Sequence, residues 1–149
     1  FHWLIKVSDL SRVFISLTNK PENYVDNIQQ AKQKLIAVVL GSAGYKELTS
    51  HGFSEQENLY SVSDDELMVN LLENGRVDLV YDDPDNVQNI LNERGSSDVA
   101  INFKKIAPEN ERSGYIAINK ATDITIVNRL QQAARKFEKT AEYARLLIK

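Results

Sequence analysis

Gly75-Arg76-Val77-Asp78-Leu79-Val80-Tyr81-Asp82-Asp83-Pro84 carries the clearest local signals of secondary structure in this chain. A glycine at 75 is typical of a helix end, the apolar run that follows predicts a short buried strand, and a proline suits the first position of the next helix. Asp82 and Asp83 therefore stand at the carboxyl end of a strand. Ligands of open α/β sheets bind beside such strand ends, so both aspartates are candidate site residues.

Outside this stretch, short apolar segments continue to alternate with amphipathic ones. Strands are predicted near 36–41, 59–63, 77–82 and 99–105, with helices between them. Ser63, with Glu66 three residues later, matches a capping box that would begin the second of these helices. This alternation predicts an α/β fold with a mostly parallel sheet flanked by helices.

The two ends of the chain follow a different pattern. Residues 1–18 are rich in β-branched and aromatic types and are predicted to be extended, and residues 114–119 are predicted to form one strand. Helices are expected from there to Lys149. They carry a narrow apolar stripe at helical spacing, made of Val127, Leu130, Ala134, Phe137 and Ala141. No sheet is predicted beside these helices within 107–149, so they need another surface to pack on.

Composition narrows the classes of function. The net charge is −3, so the chain lacks the basic excess that binds nucleic acid, and no apolar run nears the ~20 residues that span a bilayer. The chain has no cysteine, and His2 and His51 are not spaced like ligands of a shared metal. Gly41-x-x-Gly44 lacks the third glycine of a dinucleotide fingerprint. We therefore expect no metal and no cofactor.

Four segments, taken in order and spacing, carry a resemblance to a known family. They are Val13-Phe14-Ile15-Ser16-Leu17, Ile36-Ala37-Val38-Val39-Leu40-Gly41-Ser42, Gly75-Arg76-Val77-Asp78 with Asp83, and Tyr115-Ile116-Ala117-Ile118-Asn119-Lys120. With these segments the chain resembles the type II, two-lobed periplasmic solute-binding proteins of the polar amino-acid type (bacterial extracellular solute-binding family 3). The resemblance implies two α/β lobes joined by two hinge strands that close on a small solute.

The resemblance also divides the chain. Residues 1–17 would be a partial first lobe with one hinge strand, residues 18–112 a complete second lobe, and residues 113–149 the other hinge strand with the C-terminal helices of the first lobe. The opening β-α-β-α section of the first lobe, with its carboxylate-binding arginine, has no counterpart in this sequence. The resemblance therefore implies a fragment, which we expect to bind solute weakly and to self-associate through its unpaired strands and apolar stripe.

Site residues follow from the same resemblance. Asp83 aligns with the aspartate that receives the amino group of the ligand, and Ser42 and Ala43 align with helix-start positions that bind its carboxylate. Ala43 stands where the family often has threonine, so one hydroxyl is absent. Gly44 would leave room for the ligand, and Asp82 and Val39 complete the ligand-binding set.

Plainer roles remain open for the same residues. Asp83 suits the N-cap before a proline, Ser42 suits the cap of the preceding helix, and Asp82 could be a solvated neighbour. Tyr81 could stack on a ligand, although an aromatic side chain in such a strand more often belongs to the core.

The implied function is capture of a small polar, amino-acid-like solute in the periplasm for the membrane permease of an ABC-type transporter. A signal peptide would then be expected upstream of Phe1. One alternative is a sensory domain of the same fold, and a weaker one is an enzyme such as a dehydratase or a murein lyase. An enzyme would need an acid/base pair, for which the sequence offers only Asp82 and Asp83, and Ser61 and Ser63 have no histidine base beside them. We therefore expect no catalysis.

Overall fold

A computed structural model describes residues 1–105 and 111–147, and of residues 9–11, 111 and 112 it describes the backbone alone. The chain forms two compact units. The larger consists of Ser11–Asn110, and the smaller combines Phe1–Leu10 with Glu111–Lys149.

Strands and helices alternate along most of the chain. The strands are β1 (His2–Ser11), β2 (Val13–Leu17), β3 (Ile36–Val39), β4 (Leu59–Val62), β5 (Leu79–Asp82), β6 (Ile101–Lys104) and β7 (Glu111–Ile118). The helices are α1 (Ile28–Ala31), α2 (Ala43–Ser50), α3 (Asp65–Glu73), α4 (Pro84–Glu93), α5 (Ile124–Phe137) and α6 (Ala141–Leu147), with a 3-10 turn at Pro21–Asn23. The four strands predicted within 36–105 are all present, each somewhat shorter than expected. The predicted helical end at 148–149 lies outside the described residues.

The larger unit is built on one five-stranded sheet with the order β4-β3-β5-β2-β6. Strand β3 is parallel to β4 and to β5, whereas β2 is antiparallel to β5 and to β6. The predicted α/β fold with a mostly parallel sheet is confirmed. Val13–Leu17, which the resemblance implies as a hinge strand, lies in this sheet. Its five residues are all buried, and it pairs with a neighbour on each side.

Helices cover both faces of this sheet. On one face, side chains from α3 and α4 pack against Val13, Ile15 and Leu17 of β2. On the other face, Ala31 of α1 and Leu48 of α2 pack in a cluster that includes the β2 residue Phe14. Neighbouring residues of β2 thus serve opposite faces, as the period of two in a strand requires.

The helix ends confirm one predicted signal and correct another. Gly75 has φ +65°, and its N–H donates to the carbonyl of Leu72, so it is the left-handed cap expected after α3. The N-cap of α3 is Asp64, not Ser63, because the Asp64 carboxylate accepts the Leu67 N–H at 2.8 Å. Ser63 instead donates its hydroxyl to Asp64 at 2.6 Å. These hydrogen bonds, that from Ser63 foremost, lower the pKa of Asp64.

The smaller unit contains the two-stranded sheet of β1 and β7 and the helices α5 and α6. The Tyr143 hydroxyl of α6 donates to the carbonyl of Lys6 at 3.0 Å. The apolar stripe predicted on α5 is partly covered. Val127 and Ala134 are buried, whereas Leu130 and Phe137 are each 40% exposed. In the part of the chain that is described, no helix is long and apolar enough to cross a membrane.

Candidate functional site

A small pocket of about 90 Å³ lies in the larger unit, at the edge of the sheet where the parallel strands end. The residues that line it are Arg12, Val39, Ser42, Asp65, Met68, Tyr81 and Asp82. They come from the ends of β3 and β5, from the residue before α2, and from the first turn of α3. Arg12 directly precedes the antiparallel strand β2, and it reaches the same edge because Val13 at the start of β2 pairs with Asp82 at the end of β5.

Three of the predicted site residues meet in this pocket. Val39 ends β3, Ser42 is the N-cap of α2, and Asp82 ends β5. The Ser42 hydroxyl accepts a hydrogen bond from the Tyr45 N–H at 3.1 Å, so the predicted role of Ser42 as a helix cap is observed. Ala43 is the first residue of α2 and is not among the pocket's lining residues. Amide groups in the first turn of a helix have no acceptor within it, which leaves such a position suited to an anion.

Asp83 is placed differently from Asp82. Its carboxylate accepts the Asp85 N–H at 2.9 Å, which makes it the N-cap of α4. It is not among the residues that line the pocket. The capping role of Asp83 is therefore observed, and its role toward a ligand stays a prediction.

Gly44 is buried where α2 approaches the sheet. A Cβ atom at this position would lie 3.3 Å from Arg12 Cδ, 3.3 Å from Tyr81 Cδ1 and 3.4 Å from Val38 Cγ2. Contacts of that length are tighter than ordinary packing. The space in front of Gly44 is thus filled by two side chains that themselves line the pocket, and the glycine allows α2 to lie close to them.

Asp82 is a half-buried carboxylate of the pocket with a shifted pKa. Burial, with a smaller contribution from the charge of Asp65, raises the pKa of its carboxyl above the usual range, although the Asn86 amide and Arg12 oppose the shift. Asn86 donates to Asp82 at 2.7 Å and also to Asp65 at 3.3 Å. Asp82 is thus half-buried beside a second carboxylate, and its role toward a ligand stays a prediction.

Two charged residues of the pocket were not found from the sequence. Arg12 stands before an apolar strand and has no motif around it, and its proximity to Asp82 depends on β2 being inserted next to β5. Asp65 reads as an ordinary acidic residue of a first helical turn. Among the side chains that the structure describes, no group of three histidine or acidic residues is placed to hold a metal ion.

Comparison with known proteins identifies the fold. No protein family matches this sequence, and neither does any curated protein. Among solved structures, a histidine kinase sensor domain with similarity to periplasmic binding proteins matches with a TM-score of 0.70 at 15% identity, over 97% of this chain. This chain has a periplasmic-binding-protein-like fold. The resemblance drawn from the sequence is confirmed at that level.

Two further matches are solved structures of amino-acid-binding proteins. The amino acid ABC transporter substrate-binding protein AbpA from Streptococcus pneumoniae, bound to L-arginine, matches with a TM-score of 0.69 at 15% identity over 99% of this chain. The arginine-, lysine-, histidine-binding protein ArtJ from Geobacillus stearothermophilus matches with a TM-score of 0.63 at 16% identity over 97%. The chain spans about 60% of the length of the structures it matches.

Proposed function

We propose that this chain binds a small polar, amino-acid-like solute for the permease of an ABC-type transporter. The observation that carries the proposal is the pocket at the strand ends, where a guanidinium, a hydroxyl and two carboxylates converge beside apolar side chains. Small-molecule sites of α/β sheets lie at this edge and combine apolar walls with a few polar groups. Lobe closure on the solute and a periplasmic location belong to the same proposal.

The size of the pocket supports contact with one end of a solute only. Pockets that bury most of a drug-sized ligand have volumes of roughly 300–1,000 Å³, whereas this one has about 90 Å³. The groups present suit the charged head of an amino acid, because carboxylates accept from an ammonium in charge-assisted hydrogen bonds. We therefore expect weak binding by residues 1–149 alone, with Kd on the order of 1 mM or weaker, about −4 kcal/mol.

An NMR titration tests the proposal on this chain. Amide spectra are recorded with each of the common L-amino acids at rising concentration, and the shifts are mapped onto the sequence. We expect at least one amino acid to move the amides of Val39, Ser42 and Asp82 together in a saturable manner. Shifts confined to residues away from the pocket, or no saturable shift with any amino acid, would contradict the proposal.

A sensory role is the second candidate, favoured by the match to a histidine kinase sensor domain. The pocket would then serve the same solute, while its occupation would be read by a signalling domain rather than by a permease. The coding sequence adjoining these residues discriminates the two, since a signalling domain in the same gene would favour the sensor. The matches named above are binding proteins and a sensor domain, and we propose binding without catalysis.

A further inference from the structure

Two side chains that line the pocket, Arg12 and Tyr81, contact one residue that does not line it, Glu47. Glu47, in the second turn of α2, contacts Arg12 Nη1 through Oε1 at 3.4 Å and accepts the Tyr81 hydroxyl through Oε2 at 3.3 Å. Its side chain is only 11% exposed, and that of Arg12 is 24% exposed. The same two side chains pack against Gly44, one turn earlier on α2. Glu47 therefore holds both of them to the helix.

This contact changes the charge that the pocket offers to a ligand. Arg12 is the single cationic side chain among the described lining residues, and it is paired with Glu47. Asp65 and Asp82 share the amide of Asn86, and in the described part of the chain neither carboxylate lies within 4.0 Å of a cationic nitrogen. The acidic side chains of the pocket thus form no ion pair, and the charge of Arg12 acts on Asp82 only from a longer distance. Arg12 itself is paired with Glu47.

We propose that Glu47 is a positioning residue that engages Arg12 in an internal ion pair and thereby sets the pocket to receive a cationic group. The group is an ammonium or a guanidinium of the solute, bound against Asp82 and Asp65. This inference rests on the proposed function and specifies which end of an amino acid this pocket holds. Without Glu47, Arg12 would turn its charge toward Asp82 or toward a ligand carboxylate, and the preference for a cation would fall.

The positioning role can be tested without any ligand. Glu47→Gln removes the charge of Glu47 and keeps its shape, and Glu73→Gln is the matched control, because Glu73 pairs with Arg94 at 3.0 Å and does not line the pocket. The pKa of the Asp82 carboxyl is read by carbon-13 NMR, with Asp65, Arg12 and Asn86 as its charged and polar neighbours. We expect Glu47→Gln to lower this pKa and Glu73→Gln to leave it unchanged.

A double variant separates an effect through Arg12 from the simple loss of a nearby negative charge. If Glu47 acts by holding Arg12, the Glu47→Gln change will not alter the pKa of Asp82 when Arg12→Gln is already present. An equal shift in both backgrounds, or no shift in either, would overturn the positioning role.

The ligand class is tested with two probes that each keep one end of alanine. L-Alaninamide carries the ammonium without the carboxylate, and N-acetyl-L-alanine carries the carboxylate without the ammonium. We expect the pocket amides of the wild type to respond to L-alaninamide with at least about a tenfold preference, the size of one charged hydrogen bond. Glu47→Gln should shrink that preference, and Glu73→Gln should not.

The outcomes distinguish this inference from the proposed function. Equal binding of both probes, or a preference for N-acetyl-L-alanine, would overturn the cationic class even if whole amino acids bind in the pocket. Binding of L-alaninamide with an unchanged preference in Glu47→Gln would overturn the part assigned to Glu47. If no amino acid and neither probe binds, the proposed function and the ligand class fail together, while the Asp82 titration still decides the positioning role.

Discussion

The two units of this chain show how similar apolar patterns lead to different degrees of burial. Both clusters of buried hydrophobic residues in the described structure belong to the larger unit. Among the described side chains of the smaller unit, three hydrophobic ones are buried, Ile5, Val127 and Ala134, while Trp3 is 64% exposed. A five-stranded sheet with helices on both faces buries its apolar side chains by itself, whereas a two-stranded sheet is marginal without further packing. An apolar stripe therefore predicts burial only where a second surface is available.

The largest expected effect is the truncation of a core residue in the larger unit. Ile15 lies fully buried in the middle of β2, between two strands. Ile15→Ala should lower the free energy of unfolding of this unit by about 2–5 kcal/mol, through lost burial and the cavity left behind. The matched control is Ile126→Ala on α5, where the side chain is 49% exposed and a change within about 0.5 kcal/mol is expected. Urea titration followed by NMR reads the amides of each unit separately, and equal costs would contradict the comparison.

The next effect concerns the exposed aromatic side chains of the smaller unit. Trp3 lies 5.8 Å from Tyr115 and 6.4 Å from Phe1, measured between ring centroids. Self-association through the strands and the apolar stripe of this unit stays a prediction of the sequence, and we expect these exposed rings to contribute to it. Trp3→Ser should weaken association by about 2 kcal/mol, the size of an interface hot spot, whereas Leu67→Ser in the larger unit should not. Light scattering over a concentration series measures both, and a wild type that is monomeric throughout would contradict the prediction.

Much of the larger unit could be predicted from local signals. Gly75 and Pro84 mark a helix end and a helix start by their own backbone preferences, and the structure uses both as predicted. The place of β2 could not be predicted in the same way, because an apolar strand carries no local sign of its neighbours. The cap at α3 was misassigned since serine and aspartate are both strong N-cap residues and stand next to each other at 63 and 64.

The residues of the candidate site also fall into two groups, those that local sequence signals predict and those that depend on which strands are neighbours. Val39, Ser42 and Asp82 could be placed at the pocket because parallel strands end at one edge of a sheet. Arg12 could not, because it reaches that edge only through the antiparallel insertion of β2. Glu47 contacts Arg12 across 35 positions of sequence, and its contact with Tyr81 spans 34. Neither spacing follows from the helical period of α2.

An intermediate effect is expected at Asp83, whose two roles can be separated. Asp83→Ala removes the N-cap of α4 and should cost about 1 kcal/mol of stability, whereas Asp83→Ser keeps a capping oxygen and should cost little. The ligand role implied by the resemblance predicts that Asp83→Ser still weakens solute binding, by about 1–3 kcal/mol. Urea unfolding and the NMR titration are run on both variants. Unchanged binding in Asp83→Ser would leave Asp83 as a cap alone.

The smallest expected effect is a gain in stability from Asp82→Asn. Burial raises the pKa of Asp82, so folding favours its neutral form, and the charge that it carries at neutral pH opposes folding. A neutral amide of the same shape should therefore stabilise the larger unit at pH 7, by about 0.5 kcal/mol, at the low end for a single substitution.

The direction of this stability difference can be tested by changing the pH. The advantage of Asp82→Asn should be complete above the raised pKa of the folded protein, shrink as the pH falls through it, and vanish once Asp82 is protonated in both states. Asp64 is the internal contrast, because its pKa is lowered, so its contribution favours folding above the usual carboxyl pKa and is lost as the pH falls through the folded value. Urea unfolding midpoints between pH 3 and pH 8 test both directions, and a variant less stable than the wild type at neutral pH would show that the Asp82 charge is stabilised where it lies. If the gain in stability is accompanied by weaker binding of L-alaninamide, Asp82 has the signature of a group retained for binding at a cost to the fold.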